Sequence, residues 1–416
     1  MGKTKILLAQ LGARKHYQEP LLFHRWGILD RIYTDFYSGH SQLANSLRDP
    51  KIYKILPSLL KKILDRYEPG LENAEIIHFP KFGYQNTRKL KNALPEELSQ
   101  IFVSAGQEFC QRIIQRGLGN ANTIYGFNSA CLELFKYAKT QNIRCILDQT
   151  FVDWSLAHQL LLEEEKRWDG WSLTPVTVNY ADIQLMEREH DEQDLADHII
   201  CGSTFVKDSL IARKVDESKI FVVPLGRLKD EKSSPYQSLT KTPLERGDEL
   251  RILFVGSVSL RKGIPYLLEA LRQIKREIPF ICKVVGSLEI KPERIVEYGD
   301  VCEFLGRIPR SQVKDLYTWA DVFVLPSVSE GSAMVTYEAM SMGVPVITTK
   351  NSGSIVRDGI DGFIMSINEI SSIADNLIKI YLTTINKAER RGETQQYLDD
   401  VFNESEKTLQ KILIQQ

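Results

Sequence analysis

A chain of 416 residues, 43% hydrophobic and 26% charged, is long enough for two cores and has an ordinary globular composition. Its 53 basic and 54 acidic side chains leave a net charge of -1, which excludes a global positive field for nucleic acid. Six cysteines at 110, 131, 145, 201, 282 and 302 form no C-x-x-C pair and no zinc spacing with histidine, a usage that fits a reducing compartment.

The opening MGKTKILLAQLGARKH turns polar too early for a signal-peptide core, and no later run reaches the length of a membrane span, so a cytoplasmic protein is expected. Strand-like runs KILLAQL, AEIIHF, NTIYGF, RCILDQT and HIICGS alternate with amphipathic stretches such as ACLELFKYAK. That alternation predicts a parallel sheet with crossover helices. KIFVVPLG, Lys219 to Gly226, closes the series, and a polar tract follows. The strand rhythm then restarts with RILFVGS, FICKVVGS, CEFLG, ADVFVLPS and VPVITT. The expected fold is therefore α/β, with two doubly wound parallel-sheet domains facing a central cleft. Their expected extents are residues 1–228 and 249–395, with a linker over 229–248 and a helix over 396–416 packing back on the first domain.

Within the first domain, LPSLLKKILDRY puts Leu59, Leu60, Ile63, Leu64 and Tyr67 on one helical face and Lys61, Lys62 and Arg66 on the other. Residues 51–67 thus read either as a peripheral contact with the inner face of an anionic membrane or as a helix packed on its own core.

Two features of the second half carry chemistry. In SEGSAMVTYEAMSMG, Glu330 and Glu338 flank a short helix expected from Ser332 to Met342, directly after the buried strand ADVFVLPS. A helix start at a strand's carboxyl end offers unpaired amides to an anion, and Gly331 allows close approach to the backbone. Carboxylates on both sides of a diphosphate could accept hydrogen bonds from a sugar and from a ribose, the layout of a nucleotide sugar; the alternative is a helix cap and a solvated surface charge. In RILFVGSVSLRKGIPYLLEAL the loop after the strand holds Gly256, Arg261, Lys262 and Gly263, and adjacent cations there can neutralise a departing phosphate.

The combination of FVGS-x4-KG, FLG at 304–306, ADVFVLPS, E-G-x6-E-A-M followed by G-x-P-V-I, and RDGIDGF resembles the carboxyl-terminal half of family 4 glycosyltransferases, retaining enzymes of the GT-B fold (glycosyl transferases group 1 type). The resemblance implies that Glu330 meets the donor sugar, Glu338 the ribose and Lys262 the diphosphate. It further implies that Gly256, Gly331 and the amides of Ser332, Ala333 and Met334 cradle phosphate and sugar, and that Arg307 and Ile308 border the base. Ser257 stands where many members carry arginine, and Arg261 is expected to supply that charge. Asp148 or Gln149 occupies the place of a frequent histidine, and the first glycine loop holds only Gly12.

No D-x-D triplet occurs, so neither a metal nor a cofactor is expected. The implied partners are a nucleotide-sugar donor and an acceptor that is a glycan, a lipid-linked sugar or a small molecule. A nucleotide-sugar epimerase and a non-catalytic nucleotide-sugar-binding relative are the alternatives.

Overall fold

The computed structural model describes residues 3–39, 41–224, 248–383 and 387–414. The first sheet contains β1 (Ile6–Gln10), β2 (Leu29–Thr34), β3 (Ile76–His78), β4 (Thr123–Phe127), β5 (Arg144–Gln149), β6 (His198–Cys201) and β7 (Ile220–Val222), in the order β3-β2-β1-β4-β5-β6-β7. The second contains β8 (Leu250–Val255), β9 (Phe280–Val285), β10 (Glu303–Gly306), β11 (Val322–Leu325), β12 (Val346–Thr349) and β13 (Gly362–Met365), in the order β10-β9-β8-β11-β12-β13. Every pairing is parallel. Strands covered on both faces need no polar alternation, which is why β1, β4 and β11 are buried along their whole length. In each sheet the winding reverses beside the first strand, between β1 and β4 and between β8 and β11, and the crevice at such a reversal is where open α/β sheets bind ligands.

β2 was not among the expected runs, because Asp30 and Arg31 break its apolar pattern. In the fold they sit at the start of the strand, where Arg31 pairs with Asp30 at 2.8 Å and Glu75 at 3.2 Å.

The packing also crosses the expected domain boundary. Residues 154–173 fall in the first half of the chain, yet Trp171 belongs to the second domain's core, and Leu160 and Trp168 pack against it. Conversely, the last helix, Lys387–Ile414, places Leu398 in the second core and Leu409, Ile412 and Leu413 in the first. The expected linker lies outside the described residues except for Asp248.

The stretch at 51–67 is two helices, Pro50–Ile55 and Ser58–Leu64, separated at Pro57. The expected single apolar face is divided: Leu64 is buried and Tyr67 packs on the first core, while Ile52, Ile55, Leu60 and Ile63 are exposed. The side chains of Lys54, Leu59 and Lys62 lie outside the description. Among the described residues no helix is long and apolar enough to cross a membrane.

Candidate active site

After β8 the chain passes Gly256 and Ser257 into a tight turn, Leu260–Lys262, that presents Arg261 and Lys262. Gly263 ends the turn in the left-handed region (φ 69°), and a Cβ on it would lie 1.9 Å from the Pro326 carbonyl oxygen. Both the dihedral and the contact require glycine. The turn is thereby seated against the loop after β11, where the Val328 amide donates to the Arg261 carbonyl at 2.9 Å.

Glu330 lies in that loop and gathers both cations on one oxygen. Its Oε1 accepts from Arg261 Nη1 at 2.5 Å and from the Lys262 ammonium, while Arg261 Nη1 also donates to the Ser329 carbonyl at 3.3 Å. Lys262 is 8% exposed, and desolvation holds its pKa below that of a free lysine despite the opposing pull of Glu330. A Cβ on Gly256 would touch the Lys262 stem at 3.5 Å. Ser257 pairs with the Ser259 hydroxyl at 3.1 Å. Two cations against one carboxylate leave the cluster net positive.

The helix after Glu330 runs from Met334 to Ser341, two residues shorter at its start than expected, with Ala333 as its cap. Of the three expected cradle amides, that of Ala333 is committed to the Ser352 carbonyl at 3.0 Å, which corrects the expectation that it is open to a ligand. The Ser332 and Met334 amides have no hydrogen-bond partner among the described residues. Glu338, one turn into the helix, accepts from the Tyr317 hydroxyl at 3.0 Å. Arg307 is exposed just after edge strand β10, and Ile308 packs partly on the second core.

Gly331 also meets the first domain. A Cβ there would fall 1.9 Å from the carbonyl oxygen of Thr150, in the loop after β5 of the first domain. Glycine is thus needed for domain contact. Ser203, after β6, donates to the Gly331 carbonyl at 2.5 Å, and Phe151 places its ring 5.8 Å from the Arg261 guanidinium. Ser203, Thr150 and Phe151 went unnoticed in the sequence, since nothing in their local pattern marks a partner more than 100 residues away.

The first-domain candidates are held apart from this cluster. Asp148 is fully buried and takes Lys15 Nζ at 2.6 Å and the Tyr125 hydroxyl at 2.7 Å. Lys15 also reaches Glu19 at 2.9 Å, and it begins three consecutive left-handed residues, Lys15, His16 and Tyr17. Such backbone persists only where surrounding contacts hold it. Gln149 points to the opposite face of β5, where it donates to Glu189 at 2.8 Å and to the Phe151 carbonyl at 3.0 Å. Glu189 also accepts from Asn128 at 2.9 Å and from the Trp154 amide at 2.8 Å, so it ties the loops after β4 and β5 together. Gly12 has open space around it and donates its amide to Asp35 at 3.1 Å. Among the described residues no cluster of three or more His, Cys, Asp or Glu is placed to hold a metal ion.

With that geometry in place, the family model for glycosyl transferases group 1 matches residues 237–396. This region resembles a group 1 glycosyl transferase domain. It contains the turn of Arg261 and Lys262, both glutamates and the loop between them. The putative colanic acid biosynthesis glycosyltransferase WcaL of Escherichia coli is 32% identical over 150 residues, 33% of this chain and 36% of that protein. The chain thus spans about a third of that relative's length. Among solved structures, the sucrose-phosphate synthase of Thermosynechococcus elongatus superposes with a TM-score of 0.60 at 17% identity, covering 99% of this chain and 98% of that one. The Anabaena protein HepE, solved in complex with UDP and glucose, gives 0.55 at 15% identity, covering 98% of this chain and 100% of that one. These likenesses place the two parallel-sheet units in the GT-B fold, and the stretch that matches the group 1 family model falls on the second unit.

Proposed function

We propose that the protein transfers a hexose-type sugar from a nucleoside diphosphate sugar to an acceptor hydroxyl, with retention of configuration, in polysaccharide, glycolipid or cell-envelope glycan synthesis. The observation that carries this reading is the cluster of Arg261, Lys262 and Glu330 at the carboxyl ends of β8 and β11, directly facing the first domain. A net positive cluster at a sheet's reversal point is suited to a diphosphate. The names of WcaL and HepE, the latter with UDP and glucose bound, support the donor class and the glycan setting.

In this mechanism the bond between the anomeric carbon and the diphosphate oxygen breaks, and the acceptor oxygen bonds to the same face of the sugar. The acceptor proton passes to the departing phosphate oxygen. Arg261, Lys262 and the Ser332 and Met334 amides meet the charge that develops there, so no divalent ion is required. Glu330 holds the sugar hydroxyls and Glu338 the ribose. Contact of the Gly331 loop with the first domain keeps water from competing with the acceptor.

Screening UDP-, GDP- and ADP-linked hexoses for acceptor-dependent nucleotide release, with and without EDTA, tests the reading. An epimeric nucleotide sugar formed without any acceptor would favour the epimerase, and binding without turnover the non-catalytic relative. We also propose that Ile52, Ile55, Leu60 and Ile63, with Lys51 and Lys61 beside them, rest on an anionic bilayer. Cosedimentation with phosphatidylglycerol vesicles, lost in Ile55→Glu, checks that contact.

A further inference from the structure

The segment between β5 and the helix Tyr180–Leu195 is a strut between the domains. Its helix, Trp154–Arg167, is anchored at its start in the first domain: the Trp154 amide donates to Glu189, and the capping Asp153 accepts from Gln193 at 3.2 Å. Its far end is anchored in the second domain. Trp168 stacks edge-on against Tyr266 at 5.3 Å, and Trp171 lies 5.4 Å from Tyr298. The chain then bridges to Ile290 at Ser172, with backbone hydrogen bonds from Lys291 to Trp171 at 2.8 Å and from Leu173 to Glu289 at 3.0 Å.

Between these anchors the strut lies against the Leu260–Lys262 turn. Two of its side chains support that turn from opposite ends. Phe151, just before the helix, lies under the Arg261 guanidinium. Glu164, 2% exposed, accepts from the hydroxyl of Tyr266, the third residue of the helix that follows the cation turn. A side chain that fixes the first turn of that helix also fixes Lys262, four residues earlier, with Gly263 as the only flexible joint between them.

We infer that Phe151 and Glu164, contributed by the first half of the chain, are positioning residues that hold Arg261 and Lys262 at the β-phosphate of the donor. This rests on the donor-site reading above. The strut contacts described above fall on the cation turn and the helix after it rather than on Arg307, Ile308 or Glu338, so its loss should weaken recognition of the second phosphate and spare the rest of the nucleotide. A purely structural role would move both equally.

The test is calorimetric titration of UDP and UMP against the wild type, Phe151→Ala, Glu164→Ala, Tyr266→Phe and Glu164→Gln, with GDP/GMP and ADP/AMP run in parallel. The expected result is a roughly tenfold fall in the preference for diphosphate over monophosphate in the first three variants, about the loss of one well-placed charge contact. Monophosphate affinity should stay within about twofold, and Glu164→Gln, which can still accept from Tyr266, should restore the preference. Tyr266→Phe removes one hydroxyl and so guards against variants that fail to fold. An unchanged preference in Tyr266→Phe together with Phe151→Ala or Glu164→Ala overturns the inference while leaving the donor site standing. Failure of every diphosphate to bind the wild type sinks the donor-site reading, and this inference with it.

Discussion

The Lys262 ammonium and the Glu330 carboxylate pair directly between the carboxyl ends of β8 and β11, with Arg261 on the same oxygen. A donor diphosphate entering here competes with Glu330 for both cations. Lys262→Ala should lower transfer by about 10²–10³-fold, the usual cost of one charge-stabilising group. Glu330→Gln should lower transfer similarly yet bind free UDP as tightly as the wild type or more so. Nucleotide release assays and calorimetry separate the two effects, and near-normal turnover in both variants would sink the assignment.

Glu338 is expected to act in binding. Glu338→Ala removes the proposed acceptor for the ribose, while the Tyr317 hydroxyl keeps the Val335 carbonyl at 3.3 Å, so nucleotide affinity should fall by about tenfold or more, the worth of a hydrogen bond to a charged group. An unchanged dissociation constant removes Glu338 from the ribose site.

Gly331→Ala asks whether domain contact matters to catalysis. With 1.9 Å between the new Cβ and the Thr150 oxygen, the loop or the domains must shift. Transfer should drop while affinity for free UDP, held by the second domain, changes little. Equal loss of both would show that the loop itself had collapsed.

Glu189 gives a pH signature. Burial, together with the neighbouring Asp153 charge, pushes its pKa up to about 8 from an ordinary 4.5. The folded state therefore holds this proton more tightly than the unfolded chain, and stability falls as pH rises from about 4.5 to about 8. Thermal melts across that window should show a decline that Glu189→Gln flattens. A variant with the wild-type slope would assign the decline to other groups.

The second domain was largely legible in the sequence because its strands are apolar runs and its candidate site residues sit in two short contiguous motifs, one around Lys262 and one from Glu330 to Glu338. The first domain was harder to read. Helix Tyr180–Leu195 reads as a solvated acidic helix, YADIQLMEREHDEQDL, yet Glu189 and Glu192 are fully buried because loop amides and amide side chains satisfy them. Local periodicity carries no record of such partners. Trp168 and Trp171 pack in the second core although they lie in the first half of the chain, a placement that no local pattern marks. Likewise, Asp148 and Gln149 were placed correctly at the end of β5, but their opposite orientations and buried partners follow only from the fold.

The last helix has a consequence for how the molecule is made. Leu409, Ile412 and Leu413 lie against Ile6 and Leu8 of β1 in one core, and Arg144 donates to the Ile412 carbonyl at 2.7 Å. The first domain's hydrophobic interior is therefore closed by residues synthesised some 400 positions after it begins. During translation that domain must wait, with one face of its sheet incomplete, until the second domain has been produced. Loss of the last helix would then remove part of both cores, so chains cut before it should stabilise neither domain.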